Sequence, residues 1–469
     1  MKKSFFAKLS LFIMHGICAF TLASCIITPS TSSTHDYLRY YLSDDGTYYC
    51  VGAPHNDSFE EYKIPATYNN LPVKEIDPDA FVDCANLTAF LVDESNPYFK
   101  AIDGNLYTKD GKTLVKYAPG KSDTAFTVPA GVEKIAAKAF YECERLTAIT
   151  LPSSLLEIEE YAFSGCAVSS MTTPDSLKGV ANHTFTDCVS LREIKLGNNI
   201  EAIGYSAFRG CKSLESVEIP ASVKMIDAHA FAELESLKEL VFSTGSTLEY
   251  INDFAFYKSG VTEVEIPDSV RYLGHEAFRE CGNLTSVVVG SGLKEVGDYA
   301  FYNCNSLSEI KIRDGVKRIG GRMFSYAYGV ERVVIPNSVE SIGYEAFTGC
   351  TALVEVVIGN GVEQIENEAF SYCIALENVV IGSGLKTVSY NSFEASEKIE
   401  NIFYTGEAAD WNSIEVVWYY GSFPITDHIN AGDAKRLDEA TRWYYSATAP
   451  VSDGRYWHFD SEKKVVVWD

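Results

Sequence analysis

The sequence predicts an elongated repeat solenoid, built from 23-residue units that each contribute short parallel strands and one helical turn. Three observations predict this fold. A Phe, usually preceded by Ala, recurs from Phe140 to Phe393 over 253 residues in eleven intervals, a mean period of 23. Apolar residues at period two, and a Pro or Gly, recur at fixed distances from that Phe. A constant period of this length indicates stacked repeats, because each unit needs its neighbours to bury its apolar face.

One unit, residues 298–320, shows each predicted element in order. Ile310 and Ile312 flank Lys311 and predict a short strand with two side chains facing inward. In many units a Pro or Gly follows at once and ends the strand. A second apolar pair then leads to a Gly at a tight corner, as in Val296-Gly297. The Ala-Phe segment beyond the corner is long enough for one helical turn.

Three segments carry a resemblance to a known family: Ile266–Val270 reads IPDSV, Ile335–Gly343 reads IPNSVESIG, and Ala346–Cys350 reads AFTGC. This pattern resembles the BspA-like leucine-rich repeat family of bacterial surface proteins. The resemblance implies a solenoid of leucine-rich-repeat type. It also implies that the chain binds other macromolecules at a cell surface, in adhesion or protein–protein interaction, with an extracellular or host protein as partner. A repeat scaffold by itself does not specify its ligand.

Residues 1–24 are predicted to be a lipoprotein signal peptide. Lys2, Lys3 and Lys8 lead into an apolar run, and the run ends in the sequence LASC, whose Cys25 resembles the lipidated residue of the bacterial lipobox. We therefore expect an exported protein exposed at the cell surface and held on the bacterial cell membrane or outer membrane by a lipid anchor only. The alternative is an ordinary signal peptide with a chance cysteine.

The rest of the chain divides by composition. Residues 25–36 are rich in Ser, Thr and Pro and predict a tether. Residues 37–75 predict an N-terminal cap, which begins with a hairpin whose turn is Asp45-Gly46. Residues 76–405 carry the repeats, with an insertion at about 90–125 whose turn residues predict a surface hairpin or, alternatively, a binding loop.

Residues 406–469 form an aromatic-rich C-terminal cap or module. This section contains all five tryptophans of the chain, which are Trp411, Trp418, Trp443, Trp457 and Trp468. One interpretation is a small β-rich cap whose core is filled by large rings. The other is a module that binds carbohydrate or cell wall through those rings. The sequence leaves both open.

The fixed cysteine position predicts a ladder of small buried residues. Nine cysteines occupy the place three residues after the repeat Phe: Cys84, Cys143, Cys166, Cys188, Cys211, Cys281, Cys304, Cys350 and Cys373. Other units hold Leu234, Ser259, Ala327 or Ser396 there, without a second cysteine being replaced. That pattern favours thiols over disulfides, although neighbouring units approach the Cα separation of a disulfide.

The charge composition limits the classes of partner that the protein is expected to bind. The chain has 39 basic and 64 acidic residues, a net charge of −25, which argues against nucleic acid because such binding depends on basic patches. The sequence shows no catalytic motif, metal-ligand spacing or cofactor motif, so we expect a protein that is not an enzyme. We also expect it to be a monomer. His183, His229 and His275 fall in separate units and are predicted to be surface residues of the turn.

One row of outward-facing strand residues is the candidate binding site. Four consecutive units place apolar residues there, and polar residues flank the row. The apolar stripe is Val334, Val357, Val380 and Phe403, and its polar rim is Arg332, Glu355, Asn378 and Asn401. A contiguous exposed apolar stripe usually marks a binding site. The alternatives are that the C-terminal cap folds back over the stripe, or that the solenoid is a passive spacer.

Overall fold

The computed structural model describes residues 37–54, 58–418, 421–424, 441–445, 456–459 and 465–467. The predicted signal peptide, Cys25 and the tether lie outside these ranges. Within them the chain forms a parallel β-solenoid whose successive units stack along one axis. The predicted repeat fold is confirmed. Two rows of parallel strands run along the stack, each divided into separately hydrogen-bonded sheets, and we name these rows the front sheet and the side sheet.

Nine strands form the start of the solenoid and its insertion: β1 (Arg39–Leu42), β2 (Tyr49–Gly52), β3 (Glu61–Ile64), β4 (Thr67–Tyr68), β5 (Leu71–Ile76), β6 (Ala89–Val92), β7 (Phe99–Ile102), β8 (Asn105–Thr108) and β9 (Thr113–Lys116). β1 and β2 are antiparallel and form the hairpin around Gly46, whose φ of +69° suits glycine. β7, β8 and β9 form an antiparallel meander within the insertion. β3 and β6 are parallel and are the first strands on the side of the front sheet.

The even-numbered strands of the repeats form the front sheet. They are β10 (Ala125–Thr127), β12 (Ala148–Thr150), β14 (Ser170–Thr172), β16 (Glu193–Lys195), β18 (Ser216–Ile219), β20 (Glu239–Phe242), β22 (Glu263–Glu265), β24 (Ser286–Val289), β26 (Glu309–Ile312), β28 (Arg332–Ile335), β30 (Glu355–Ile358), β32 (Asn378–Ile381) and β34 (Asn401–Tyr404). Side chains alternate along each strand, so that Val333 and Ile335 are buried while Arg332 and Val334 are exposed. Outward-facing residues therefore form straight rows across the sheet.

The odd-numbered strands form the side sheet. They are β11 (Lys134–Ile135), β13 (Glu157–Ile158), β15 (Gly179–Val180), β17 (Ala202–Ile203), β19 (Met225–Ile226), β21 (Tyr250–Ile251), β23 (Tyr272–Leu273), β25 (Glu295–Val296), β27 (Arg318–Ile319), β29 (Ser341–Ile342), β31 (Gln364–Ile365) and β33 (Thr387–Ser389). The meander joins this sheet, because β9 pairs in parallel with β11. Gly297 follows β25 at the corner, where an added Cβ would lie 2.3 Å from the backbone nitrogen of His275. Only glycine lets neighbouring units approach so closely there.

A stack of phenylalanine rings fills the interior. The twelve repeat phenylalanines from Phe140 to Phe393 lie in register, and the ring centroids of neighbours are 4.8–5.5 Å apart with interplanar angles of at most 21°. These rings are almost completely buried. The sequence marker is therefore the continuous apolar core of the solenoid.

The Ala-Phe segments are turns and not the helical turn that their length suggested. Left-handed residues flank each repeat Phe from Phe140 to Phe370, as at Tyr299 (φ 63°) and Asn303 (φ 60°) around Phe301. The backbone nitrogen of Phe301 donates to the oxygen of Met323 in the next unit (2.9 Å), whereas that of Tyr302 closes a single turn by donating to the oxygen of Tyr299 (3.0 Å), so the segment bonds along the stack as well as within one turn. Among the described residues the one α-helix is α1 (Ala408–Trp411), after the last repeat.

The cysteine position is a ladder of buried donors. The thiol of Cys188 lies 3.0 Å from the carbonyl oxygen of Phe163 in the preceding unit, and Cys304 lies 3.2 Å from that of Phe278. Ser396 occupies the same position and donates to Phe370 at 2.8 Å. Cys or Ser at this place can donate a hydrogen bond inside the core, which explains why serine can replace cysteine. Leu234 and Ala327 are buried there without donating.

We expect the eight cysteines from Cys143 to Cys373 to be inert thiols in the folded protein. All eight are buried and outside any disulfide, so a reagent reaches them slowly, and burial raises the pKa of Cys350 to about 12, so this thiol forms little thiolate at neutral pH. Titration with Ellman's reagent should be slow in native buffer and should give at least these eight thiols in denaturant. Rapid native labelling, or a shortfall in denaturant after purification in air, would contradict this expectation.

The C-terminal section continues both sheets. Its described strands are β35 (Glu415–Trp418), β36 (Gly421–Pro424), β37 (Thr441–Tyr445), β38 (Tyr456–Phe459) and β39 (Val465–Val467). β35 pairs in parallel with β33 and ends the side sheet in an antiparallel hairpin with β36. β37 pairs in parallel with β34, and β38 and β39 extend the front sheet beyond it. The section therefore covers the last open edge of both sheets.

Candidate functional site

The C-terminal end of the front sheet contains the predicted stripe. Parallel pairing aligns Val334 with Val357, Val357 with Val380, and Val380 with Phe403. The four side chains occupy one row on the outward face of β28, β30, β32 and β34. The sequence predicted this alignment correctly, because the unit length is constant across these strands.

The structure divides the stripe into an open half and a covered half. Val334 is 41% exposed and Val357 is partly buried, whereas Val380 is 0% and Phe403 only 4% exposed. Trp457 of β38 packs on the latter two, with its ring centroid 5.5 Å from that of Phe403. The expectation that all four residues are exposed is therefore corrected for Val380 and Phe403, because the C-terminal section folds back over them.

Two hydrogen bonds hold the cover in place. The indole Nε1 of Trp457 donates to the backbone oxygen of Tyr404 (3.3 Å), and that of Trp443 donates to Oδ1 of Asn401 (3.1 Å). Both tryptophans thus place their polar atom on the last repeat strand while their rings pack on Phe403. The cover is a specific packing arrangement with bonded polar atoms.

The polar rim is internally paired. Arg332 forms an ion pair with Glu355 of the neighbouring strand, and Glu355 is the more buried partner. Asn401 donates to Oδ1 of Asn378 (3.1 Å) and accepts from Trp443. At the covered half, the polar rim therefore forms hydrogen bonds that hold the cap. At the open half, the Arg332–Glu355 pair lies beside Val334 and Val357.

The C-terminal tryptophans fill a core where they are described. Trp411 and Trp457 are buried, and the Trp411 ring packs edge to face on Tyr404 with centroids 5.2 Å apart. The side chains of Trp418 and Trp468 lie outside the description. Rings that pack inward offer no platform for a ligand, so the described geometry favours the cap over a carbohydrate module.

The three histidines are surface residues, but the structure brings them into one line of rings. This line, named the ring row, alternates histidine with an aromatic residue over seven consecutive units: Tyr161, His183, Tyr205, His229, Phe254, His275 and Tyr299. Neighbouring centroids lie 4.4–6.1 Å apart. The histidines are 46 residues apart, two unit lengths, a signal in the sequence that reasoning by single residues missed.

Acidification is expected to destabilise the fold through these histidines. Burial, and then the charge of Arg209, lower the pKa of His183 and His229 below 6.5. The unfolded chain therefore binds protons first, and the free energy of unfolding should decrease as the pH falls below about 6.5. Urea unfolding at pH 7.5 and 5.5 measures this decrease. A His183→Asn/His229→Asn variant should show a smaller decrease, and an identical one would contradict the assignment.

In the described part of the chain, no three His, Cys, Asp or Glu side chains are grouped so that they could hold a metal ion. No helix within those residues is both long and apolar enough to cross a bilayer.

Comparison with known proteins identifies the family. A family model described as "BspA type Leucine rich repeat region" matches in six copies, over residues 119–238, 201–331 and 322–428. A leucine-rich repeat protein from Bacteroides ovatus has a similar crystal structure, with 25% sequence identity, coverage of 83% of this chain and 100% of that chain, and a TM-score of 0.62. No curated protein matches the sequence.

Two further solved structures are similar at lower scores. A leucine-rich cell surface protein from Faecalibacterium prausnitzii shares 22% identity, over 82% of this chain and 98% of that chain, with a TM-score of 0.41. The pneumococcal vaccine antigen PcpA shares 18% identity, over 80% of this chain and 93% of that chain, with a TM-score of 0.47. The matched repeats and the solenoid agree. The chain belongs to the BspA-type leucine-rich repeat family of bacterial surface proteins.

Proposed function

We propose that this protein is a monomeric, lipid-anchored cell-surface protein whose solenoid binds extracellular or host proteins. Leucine-rich repeat proteins generally mediate protein interactions and are generally non-enzymatic scaffolds, which supports the class of function. The observation that carries the proposal is the open half of the stripe, where Val334 and Val357 lie beside the Arg332–Glu355 pair on a flat parallel sheet. An exposed apolar centre with a paired polar rim is the usual anatomy of a protein interface.

Because half of the stripe is covered, only residues of the open half can be substituted to test binding. Glu at Val380 would place a charge beneath Trp457 and would unfold the cap, so it reports on stability and not on binding. Val334 is exposed, and Val241 is its matched control because it lies in the same row at 40% exposure, four units away. Val334→Glu and Val241→Glu therefore make the same substitution at two equally exposed places of one row, of which Val241 lies beside Glu218 and Val334 beside Val357.

The chain from Ser30 onward should be titrated against immobilised extracellular matrix proteins. We expect Val334→Glu to weaken the binding of a captured protein at least about tenfold, as a buried apolar contact is worth about 1.4 kcal/mol or more. Val241→Glu should bind like the unmodified chain. Equal binding by both variants would move the site off the stripe, and no binding to any candidate would favour the passive spacer.

The anchor is tested separately. Cys25 is the proposed site of lipidation, because it ends the sequence LASC. Expression in bacteria fed an alkyne-tagged fatty acid should label the full chain and place it in the membrane fraction. Cys25→Ser should abolish the label. Labelling that persists in this variant would refute the lipoprotein assignment without touching the proposed interface.

A further inference from the structure

Five residues of the ring row have a left-handed backbone conformation that costs conformational free energy, and the fold does not require aromatic residues at that place. The eleven units from that of Phe140 to that of Phe370 hold a left-handed residue two places before the Phe, and bulky L-residues adopt that conformation at a cost. Tyr161, His183, His229, Phe254 and Tyr299 all have φ between 55° and 63°. Other units fill the same place with Lys138, Ser206 or Glu345. The fold therefore accepts small or flexible side chains there, so these five rings are an addition, while Tyr205 and His275 lie one place earlier in their units.

The rings are also not part of the core. The repeat phenylalanines beside them are fully buried, whereas Tyr205 is 40% exposed and the imidazole of His275 is 42% exposed. The ring of Tyr205 lies at 70° to His183 and 77° to His229, so the row presents rings of alternating tilt to solvent. A continuous line of partly exposed rings on a soluble surface is the kind of feature that marks a binding site.

Two arginines along the row are paired with carboxylates of the protein. Arg209 pairs with Glu233 at 2.9 Å, and Arg279 pairs with Glu276 at 2.7 Å. Burial lowers the pKa of His183 and His229, which keeps both rings uncharged at neutral pH. An anionic ligand would have to break these pairs to reach either arginine, which favours a neutral ligand.

Several polar atoms of the row are neutral donors and acceptors, whereas Nε2 of His275 contacts Oε1 of Glu276 (3.1 Å). Within the described residues, the hydroxyls of Tyr161 and Tyr205 and the ring nitrogens of His229 make no hydrogen bond to the protein, whereas His183 bonds Thr186 at 3.2 Å. Tyrosine combines an apolar ring with a polar tip. Pyranose sugars have the matching chemistry, with apolar C–H faces that pack on aromatic rings and hydroxyls that bond to neutral donors and acceptors.

We propose that the ring row binds a neutral glycan chain that lies along the solenoid axis. Six steps of one strand spacing, about 4.8 Å each, give the row a length of roughly 29 Å, which suits an extended oligosaccharide and not a single sugar. The row follows the side sheet, as Tyr205 does after β17, so it is separate from the stripe on the front sheet.

The test is affinity electrophoresis of the chain from Ser30 onward in native gels that contain laminarin, galactomannan or xyloglucan, with polygalacturonate as the charged comparison. The binding variant is Tyr161→Asn/His183→Asn/His229→Asn, since asparagine tolerates the left-handed backbone and removes the rings. The matched control is Tyr372→Asn, which removes an exposed tyrosine (52%) at φ 55° outside the row. Circular dichroism and urea unfolding confirm that both variants fold.

We expect at least one neutral polysaccharide to retard the unmodified chain, the triple variant to bind it at least about tenfold more weakly, and Tyr372→Asn to be unchanged. Retardation by polygalacturonate alone, no retardation by any neutral glycan, or equal binding by the triple variant would overturn the proposal. Val334→Glu should leave glycan binding intact, and the triple variant should leave protein binding intact. An experiment that contradicts protein binding at the stripe is therefore distinguishable from one that contradicts glycan binding at the ring row. Loss of protein binding in the triple variant would assign the row to a protein partner instead.

Discussion

Phe301→Ala is expected to lower the free energy of unfolding by about 3–5 kcal/mol, the range for a fully buried Phe replaced by Ala. Phe301 is 0% exposed, and its ring lies between those of Phe278 and Phe324, with centroid distances of 5.2 and 5.5 Å. Its removal leaves a cavity in the middle of the stack, which neighbouring units cannot close because both sheets fix their spacing.

Urea unfolding followed by circular dichroism measures this loss, with Phe301→Leu as the control that retains most of the apolar volume. The leucine variant should lose clearly less stability than the alanine variant. A repeat array is stabilised by its nearest-neighbour interfaces, so the alanine variant should also unfold over a broader range of urea concentration. Equal losses in both variants would mean that ring volume does not govern stability at this position.

Trp457→Ala is expected to detach the C-terminal cover at a cost of about 3–5 kcal/mol of local stability, since Trp457 is fully buried. The substitution removes the ring that packs on Val380 and Phe403, and it removes the donor to Tyr404. Those apolar side chains then become accessible to water. The variant should bind the dye ANS and should be cleaved by protease within the C-terminal section, while the repeats remain folded.

Trp443→Ala is the matched control, because Trp443 also packs on Phe403 but is only partly buried. Its centroid lies 6.2 Å from that of Phe403, and we expect weaker dye binding and slower cleavage than for Trp457→Ala. If Trp457→Ala bound no dye, the cover would not be what shields Val380 and Phe403 from solvent.

The repeat fold could be predicted from the sequence because the information it needs is local and repeated many times. The period of the Phe from Phe140 to Phe393, the alternating pair at Ile310 and Ile312, and the glycine at Gly297 each recur with a fixed offset. A constant offset forces equivalent residues of neighbouring units into register. The buried position of Cys304 and the alignment of Val334 with Val357 follow from the same register.

Contacts that do not repeat were decided only by the tertiary structure. The sequence placed Val380 and Phe403 on the stripe but could not say that Trp457, 54 residues beyond Phe403, covers them. That contact depends on how β37 adds to β34, which no periodic signal encodes. The prediction of a helical turn was wrong for a related reason. The backbone nitrogen of Phe301 bonds to the oxygen of Met323 in the next unit, and this bond exists only once the units are stacked.

The sequence by itself thus determined the unit, the core and the rows, since a fixed period converts position along the chain into position in space. The tertiary structure alone decided which half of the stripe stays open, and which thiols bond to which carbonyls. It also decided that His183, Tyr205 and His229 meet in one line, with centroids 5.2 and 5.6 Å apart. Those outcomes depend on distances between residues of different units, and such distances are set only when the units are stacked and the end of the solenoid is capped.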